Sequence, residues 1–241
     1  MASSSTSSLQ RIARTRPLTA RGANTRKCLL DGIVRLLSQK GLAFTTVQLL
    51  SDETGVSRGS ILHQFPTRLD MLHSACEMIL DEIIADLEAD LARRTDPWAR
   101  LKAFSDITWR QTESANWTAL SEIYVGARWD EELAARIRPA KDRMYDHIEE
   151  IIRGLASSAG IKDASIISPH VFLVSAAMRG LLADLAVHND KTSILASVDL
   201  LRANYASFID SLRAELQGTK TREKKKNVAL KRTASLTRNN K

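Results

Sequence analysis

Apolar residues recur three and four positions apart along most of the chain, which is the spacing of a helix with one buried face. The first such run starts near Thr25, and Gly41 is placed to end it. Its apolar positions are Leu29, Leu30, Ile33, Val34 and Leu37. The pattern predicts a first amphipathic helix between these two limits.

A second helix is predicted to start at Thr45. This residue can cap the helix, and Gln48, three residues later, can complete a capping box. Phe44, just before the cap, can pack on Leu49 as a hydrophobic staple. The helix is short and is predicted to end near Thr54.

A third helix of about two turns follows the second. Gly55 supplies a turn with positive φ, and Ser57 can cap the new helix, which runs through His63 and is stopped by Pro66. Two short helices joined by a glycine-containing turn, after a longer helix, form the helix-turn-helix arrangement.

The third helix carries small and polar side chains that suit contact with DNA. Gly59 and its serine neighbours let the backbone approach a phosphate-lined groove, and the helix N-terminus adds partial positive charge. Arg58 can reach a guanine edge or a phosphate. The alternative is a solvated helical corner without a ligand. The candidate contacts on this helix are Ser57, Arg58, Gly59, Ser60, His63 and Gln64.

The rest of the chain is also patterned as helices, so the predicted fold class is all-α. Thr67 with Asp70 caps a long fourth helix that extends to about Ala92. Asp130 is predicted to start a short helix and Pro139 a separate long one. The other predicted helices start near 96, 116 and 168, and the last covers 192–216.

Charge is distributed unevenly. Residues 1–72 carry ten Lys and Arg against four Asp and Glu, residues 73–217 carry 16 against 23, and residues 218–241 carry nine against one. Basic ends around an acidic centre indicate one lobe that meets a polyanion and another with a different task. Residues 1–24 are interpreted as a flexible basic arm and residues 218–241 as a disordered basic tail, which either strengthens DNA attraction or has no role.

The composition favours a cytoplasmic protein without cofactors. The two cysteines have no metal-type spacing, the apolar runs are shorter than the roughly 20 residues of a membrane helix, and the N-terminus lacks a signal-peptide core. The five histidines form no HExxH pattern, and no glycine-rich phosphate loop or nucleophile elbow is present. No catalytic or metal residues are therefore predicted, and the protein is not expected to be an enzyme.

Residues 25–72 resemble the DNA-binding domain of the TetR family of transcriptional repressors. The similarity lies in TTVQLLSDETGVSRGSILHQFPTRLDML: a TTV start, an apolar pair, GVS, a basic residue, glycine and a later phenylalanine. The resemblance implies DNA contacts from the start of helix two, the third helix and the start of helix four. Those contacts are Thr45, Thr46, Gln48, Arg58, Gly59, Ser60 and Arg68.

Three positions depart from the family pattern. Leu62 stands where the family usually has a tyrosine that donates to a phosphate. Gln64 occupies the second aromatic or basic partner position of the family pattern, and Ser51 replaces the usual alanine of helix two. Without the tyrosine hydroxyl, His63 or Arg68 is expected to carry more of the anchoring to DNA.

The resemblance also implies that residues 73–217 form a ligand-sensing and dimerisation domain, whose last two helices pair with a second subunit. Two recognition helices related by a two-fold axis, about one DNA turn apart, would read a palindromic operator. The implied function is a repressor released from DNA by a small molecule. A helix-turn-helix regulator without a small ligand, controlled by a protein partner, is the alternative, and an activator is a further one.

Four aromatic residues lie close together in the sequence and predict a ligand cavity. Bound ligand is hypothesised to move the fourth helix, which links the two lobes, and so to change the separation of the recognition helices. Each aromatic side chain is alternatively plain core. The candidate ligand contacts are Trp109, Trp117, Tyr124 and Trp129, with Arg128 and His170 as polar partners.

Overall fold

The computed structural model describes the backbone of residues 20–238 and the side chains of residues 20–219 and 221. All regular structure in this part of the chain is helical, as predicted. The helices are α1 Ala20–Lys40, α2 Val47–Thr54, α3 Arg58–Gln64, α4 Arg68–Ala92, α5 Pro97–Thr112, α6 Ala115–Ala127, α7 Glu131–Ala159, α8 Ser168–Val187 and α9 Thr192–Arg238. Single 3₁₀ turns lie at Leu42–Phe44 and Ala164–Ile166.

The predicted helix-turn-helix is present at the N-terminus. Ile33, Leu50 and Ile61, one each from α1, α2 and α3, are fully buried in a shared core. Gly55 makes the turn between α2 and α3 with φ of 70°. At Gly32, a Cβ atom would lie 2.5 Å from Cγ2 of Thr54, so glycine allows α1 and α2 to pack closely.

A second core joins the C-terminal helices. Phe104 of α5, Ile152 of α7, Met178 of α8 and Ile209 of α9 are buried together. Tyr205 of α9 donates its buried hydroxyl to a backbone carbonyl of α5 at 3.0 Å. The N-terminal core also includes residues of α4, α6 and α7. Of these, α4 and α7 contribute to the second core as well and so connect the two lobes.

The start of α2 differs from the prediction by one residue. Thr46, not Thr45, is the cap, and its hydroxyl accepts from the amide of Leu49 at 3.2 Å. Gln48 donates to Asp52 instead of closing a capping box, and Phe44 is 58% exposed instead of forming a staple. The 3₁₀ turn before α2 causes the shift, because it draws Thr45 inward, where its hydroxyl donates to the carbonyl of Gly41.

Pro139 lies inside α7 and does not start a helix, so the predicted division of this segment is wrong. Asp130 caps the whole helix by accepting from the amide of Leu133 at 2.9 Å. Buried Leu133, Ile137, Ala140 and Met144 continue one apolar stripe across the proline. Proline removes one hydrogen bond, but the stripe on both sides holds the helix in register.

Both predicted terminal boundaries are corrected. Helix α1 begins at Ala20, five residues earlier than expected, and so includes residues 20–24 of the arm predicted over 1–24. Residues 1–19 lie outside the described residues. Helix α9 continues to Arg238, where the sequence predicted a disordered tail from 218. The extension is rich in Lys and Arg, which favour helix even without an apolar stripe. Residues 239–241 lie outside the described residues.

One segment, Ala164–Val187, is long and apolar enough to cross a membrane by length and composition, contrary to the expectation from the sequence. Only 28% of its apolar window is buried. Val174 and Met178 face the second core, whereas Leu173 and Val187 are exposed. Helix α8 therefore has an apolar face on each side.

Candidate DNA-binding surface and ligand cavity

The N-terminal turn of α3 is exposed and held in place by its own cap. The hydroxyl of Ser57 accepts from the amide of Ser60 at 3.3 Å, and the two hydroxyl oxygens are 2.9 Å apart. Ile61 behind them is fully buried and anchors the helix. A Cβ atom at Gly59 would have no neighbour within 4 Å, so packing inside the chain does not require glycine there.

Polar side chains along α3 are available to a partner. Within the described chain, Arg58 makes no hydrogen bond or ion pair, and both Arg58 and His63 are exposed. The side chain of Gln64 is half-buried, and the backbone carbonyl of this residue accepts from the Arg26 guanidinium of α1 at 3.3 Å. Leu62, at the position of the absent tyrosine, is 47% exposed on the same helix.

The predicted contacts at the start of α2 divide into one buried and two accessible residues. Thr45 has no exposed surface, so the prediction that it contacts DNA is corrected. Thr46 is half-buried and uses its hydroxyl as the helix cap, while Gln48 is exposed with its amide donating to Asp52 at 2.7 Å. The burial of Thr45 follows from the 3₁₀ turn, which helix periodicity did not predict.

Arg68 has a structural task in addition to its predicted one. Its Nε donates to the carbonyl of Thr45 at 3.0 Å, and one terminal nitrogen donates to the carbonyl of Leu42. The guanidinium thus ties the start of α4 to the turn before α2. Since arginine has five N–H donors, others remain available at this exposed position.

An internal cavity of about 50 Å³, partly open to solvent, lies between helices α4, α5, α6, α7 and α8. Its walls are mainly apolar and aromatic, with four polar side chains. The apolar walls include Leu87, Phe104, Trp117, Tyr145, Ile148 and Phe172. The polar positions are Thr108, Gln111, Ser175 and Arg179.

Only Trp117 among the six predicted ligand residues lines this cavity. Trp109 packs against the second core, and His170 stacks on Phe208 with ring centroids 3.6 Å apart. Trp129 is 85% exposed, with Arg128 above its ring. The six residues are therefore not brought together, although they were grouped by closeness in sequence, because α6 ends at Ala127, before Arg128 and Trp129.

Tyr124 lies beside the cavity without lining it. Its buried hydroxyl has no hydrogen-bond partner within the described chain, and burial raises its pKa. Nζ of Lys141 is 4.7 Å from the centre of its ring.

The sequence argument missed most of the cavity. Tyr145 and Phe172 pair with ring centroids 4.9 Å apart, but each belongs to an apolar stripe that also reads as core. Arg179 could have been recognised from the sequence as a candidate site residue, because it is the one Lys or Arg within the apolar helix α8. An arginine at a half-buried helix position commonly has a specific partner.

A larger groove of about 360 Å³ is open to solvent between α4 and α7. Four of its charged or titratable side chains are paired: Arg143 lies 2.9 Å from Glu77, and His147 lies 2.9 Å from Glu88. The side chain of Asp81, which also lines the groove, makes no hydrogen bond or ion pair within the described chain. Groups that are paired with each other offer little to a ligand, so the internal cavity is the stronger candidate.

Helix α6 contacts the turn before α2 directly. A carboxylate oxygen of Glu122 accepts from the amide of Leu42 at 3.1 Å. A Cβ atom at Gly126 would lie 2.0 Å from Cδ2 of Leu42, so the present position of the Leu42 side chain requires glycine there. Trp117 lies on the same helix, which therefore joins a cavity wall to the DNA-binding lobe.

Two further contacts connect α4 to the C-terminal helices. Gln111 of α5 donates to the carbonyl of Ile83 in α4 at 2.7 Å. Arg136 of α7 pairs with Asp70, which also completes the capping box at the start of α4. Among residues 20–219 and 221, whose side chains are described, no three His, Cys, Asp or Glu side chains are grouped as a metal ion would need.

A model of the family "Bacterial regulatory proteins, tetR family" matches residues 29–75. The HTH-type transcriptional regulator CymR of Pseudomonas putida is 25% identical over 201 residues, covering 78% of this chain and 94% of CymR. The resemblance stated from the sequence is confirmed by these matches.

Solved structures of transcriptional regulators share the fold. One from Saccharomonospora viridis, in complex with choline, aligns with a TM-score of 0.60 at 21% identity, covering 78% of this chain and 96% of that one. FadR from Bacillus subtilis, in complex with stearoyl-CoA, aligns with a TM-score of 0.59 at 15% identity, covering 76% and 98%.

Proposed function

We propose that the chain is a tetR-family transcriptional regulator, and that it acts as a cytoplasmic homodimeric repressor that a small molecule releases from a palindromic operator. One observation carries the proposal: α4 begins beside the exposed α3 and continues as a wall of the internal cavity. A single rigid element thus connects the surface proposed to bind DNA with the space proposed to bind ligand.

The DNA contact is proposed to centre on the N-terminal turn of α3. Arg58 reads a base edge or a phosphate, while the backbone at Gly59 approaches the groove closely. Thr46, Gln48 and Arg68 contact the flanking phosphates in this proposal. Thr45 is left out because it is buried.

A second copy is proposed to cover the outer face of α8 and α9. Exposed large apolar side chains lie along these helices at Leu173, Val187, Leu195 and Leu200. Contiguous exposed apolar surface is typical of an interface. A two-fold pair of this kind would place two α3 helices for successive major grooves.

Release of the protein from DNA is proposed to follow when a bound ligand enlarges the cavity. A volume of about 50 Å³ has room for one or two water molecules, so a larger ligand must move its walls. Displacement of α4 or α6 would reach the DNA-binding lobe through Arg68 or through the Glu122 contact with Leu42.

The test has two parts. Selection of bound fragments from genomic DNA should return a palindromic site, and a thermal-shift screen should find a molecule that stabilises the protein and lowers operator affinity. Sites without two-fold symmetry would overturn the dimeric mode of binding. A stabilising ligand that leaves operator affinity unchanged would overturn release.

The small volume of the cavity also favours a second candidate, a helix-turn-helix regulator without a small ligand, controlled by a protein partner. In that case the cavity is a packing defect, and no molecule in the screen would stabilise the protein. Repression and activation would be separated by measuring transcription from the selected site with and without the protein.

A further inference from the structure

Arg179 is the one charged side chain that lines the internal cavity. It is half-buried, and within the described chain it has no hydrogen bond or ion pair. Its Cζ lies 5.8 Å from the centre of the Trp117 ring. Because a partly desolvated cation without a counter-ion is costly, this guanidinium is suited to an anionic partner.

Neighbouring polar groups add hydrogen-bond donors. Nε1 of Trp117 is buried without a partner in the described chain, and an indole nitrogen can only donate. Ser175 lines the cavity one helical turn before Arg179, and its hydroxyl is not engaged within the described residues. No Asp or Glu lines the cavity, so its polar groups favour an acceptor.

The aromatic ring faces that could bind a cationic ligand are already covered by Arg and Lys side chains of the chain itself. Arg179 lies over Trp117, and Nζ of Lys141 lies 4.7 Å from the Tyr124 ring and 5.7 Å from the Tyr145 ring. A quaternary ammonium group binds to such ring faces. Here it would have to displace the chain's own cations and would be repelled by them.

We propose that the cavity takes an apolar carboxylic acid as its carboxylate, and that Arg179 determines this specificity. The carboxylate accepts from the guanidinium and from Nε1 of Trp117, while the hydrocarbon body lies against Leu87, Phe104 and Ile148. The inference rests on the proposed function, because it assumes that this cavity is the ligand site.

The experiment compares one hydrocarbon skeleton with three end groups on the full chain: 3-phenylpropionate, 3-phenylpropan-1-ol and 3-phenylpropylammonium. Calorimetric titration should show the carboxylate binding at least about tenfold more tightly than the other two. Arg179→Met, similar in length but uncharged, should abolish this preference.

Arg128→Met is the matched control. Arg128 also lies 5.8 Å from a tryptophan ring, that of Trp129, but on the exposed surface outside the cavity. This variant should keep the preference for the carboxylate. If Arg179→Met does not fold, Trp117→Phe serves instead, because it removes the Nε1 donor and should weaken carboxylate binding without weakening alcohol binding.

Equal or tighter binding of the alcohol or the ammonium compound would overturn the inference, as would failure of all three to bind. Persistence of the carboxylate preference in Arg179→Met would also overturn it. Operator affinity is measured separately with the same probes. Selective carboxylate binding without release of DNA would support the ligand class and contradict only the proposed mechanism of release.

Discussion

Arg58 projects from an exposed helix turn, and no group in the described chain holds its guanidinium. Its substitution therefore removes little from the folded protein. We expect Arg58→Ala to lower operator affinity at least about tenfold, since a specific arginine contact with a base is worth about 1–3 kcal/mol. Fluorescence anisotropy with labelled operator at fixed salt measures the change.

Arg153→Ala, an exposed arginine on α7, is the control and should bind operator normally. Equal or tighter operator binding by the Arg58 variant would show that α3 is not the reading helix.

The two cysteines differ in exposure and should differ in reactivity. Burial raises the pKa of Cys76 from 9.0 to about 12, whereas Cys28 is exposed. Since the thiolate is the reactive form, a thiol reagent at pH 8 should modify Cys28 in the native protein and both residues after denaturation. Mass spectrometry gives the count, and rapid native labelling of Cys76 would contradict its burial.

The same shift predicts how stability depends on alkaline pH. Between pH 9 and about 12, the unfolded chain loses the Cys76 proton while the folded chain keeps it. The contribution of this thiol is therefore complete below pH 9 and is lost as pH rises towards 12. Cys76→Ser would separate it from other alkaline titrations in urea unfolding.

Residues whose role is local were predictable from the sequence. Ser57 and the Thr67 and Asp70 pair form the predicted caps, because capping depends on neighbours within one turn. Thr45 and Arg179 were not, since burial of the first and the cavity position of the second depend on helices distant in sequence.

At the scale of elements, Gly126 controls how closely α6 approaches the DNA-binding lobe. An alanine there would place Cβ 2.0 Å from Cδ2 of Leu42, so the Leu42 side chain in the turn before α2 would have to shift. We expect Gly126→Ala to cost about 1–3 kcal/mol of unfolding free energy, as overpacking does, and to change operator affinity. Urea unfolding and anisotropy measure the two effects.

Gly154→Ala is the control for helix propensity. A Cβ atom at this exposed position of α7 meets nothing within 4 Å, so the change should stabilise the protein by up to about 1 kcal/mol. A stabilising Gly126→Ala would mean that the contact with Leu42 has no role in positioning the lobe.

The periodicity of apolar residues predicted which segments are helical. It did not predict where one helix continues without a break or where the last helix ends. The long α4 was predicted to its final residue because its cap and stripe agree. The division at Pro139 failed because packing on both sides outweighs one missing hydrogen bond. The end of α9 was missed because helix-forming residues continue after the apolar stripe stops.

At the scale of the whole molecule, the apolar outer face of α8 and α9 predicts the oligomeric state. We expect Leu200→Glu to produce monomers, because a charge in a two-fold interface is introduced twice. Operator affinity should fall more than about tenfold as cooperation between the two half-sites is lost. Analytical ultracentrifugation gives the mass.

Val125→Glu is the matched control, since Val125 is a comparably exposed apolar residue on α6. It should leave the mass unchanged. A dimer that persists in Leu200→Glu and dissociates in Val125→Glu would move the interface to the other face of the molecule.

Pro139 marks a position at which α7 is expected to bend more easily. Without its N–H, the helix lacks one hydrogen bond at the exposed carbonyl of Ala135. On one side of this point Arg136 pairs with Asp70 at the start of α4, and on the other Tyr145 walls the cavity. We therefore expect the two parts of α7 to bend relative to each other more easily than an uninterrupted helix would, so that enlargement of the cavity reaches Arg136 in weakened form.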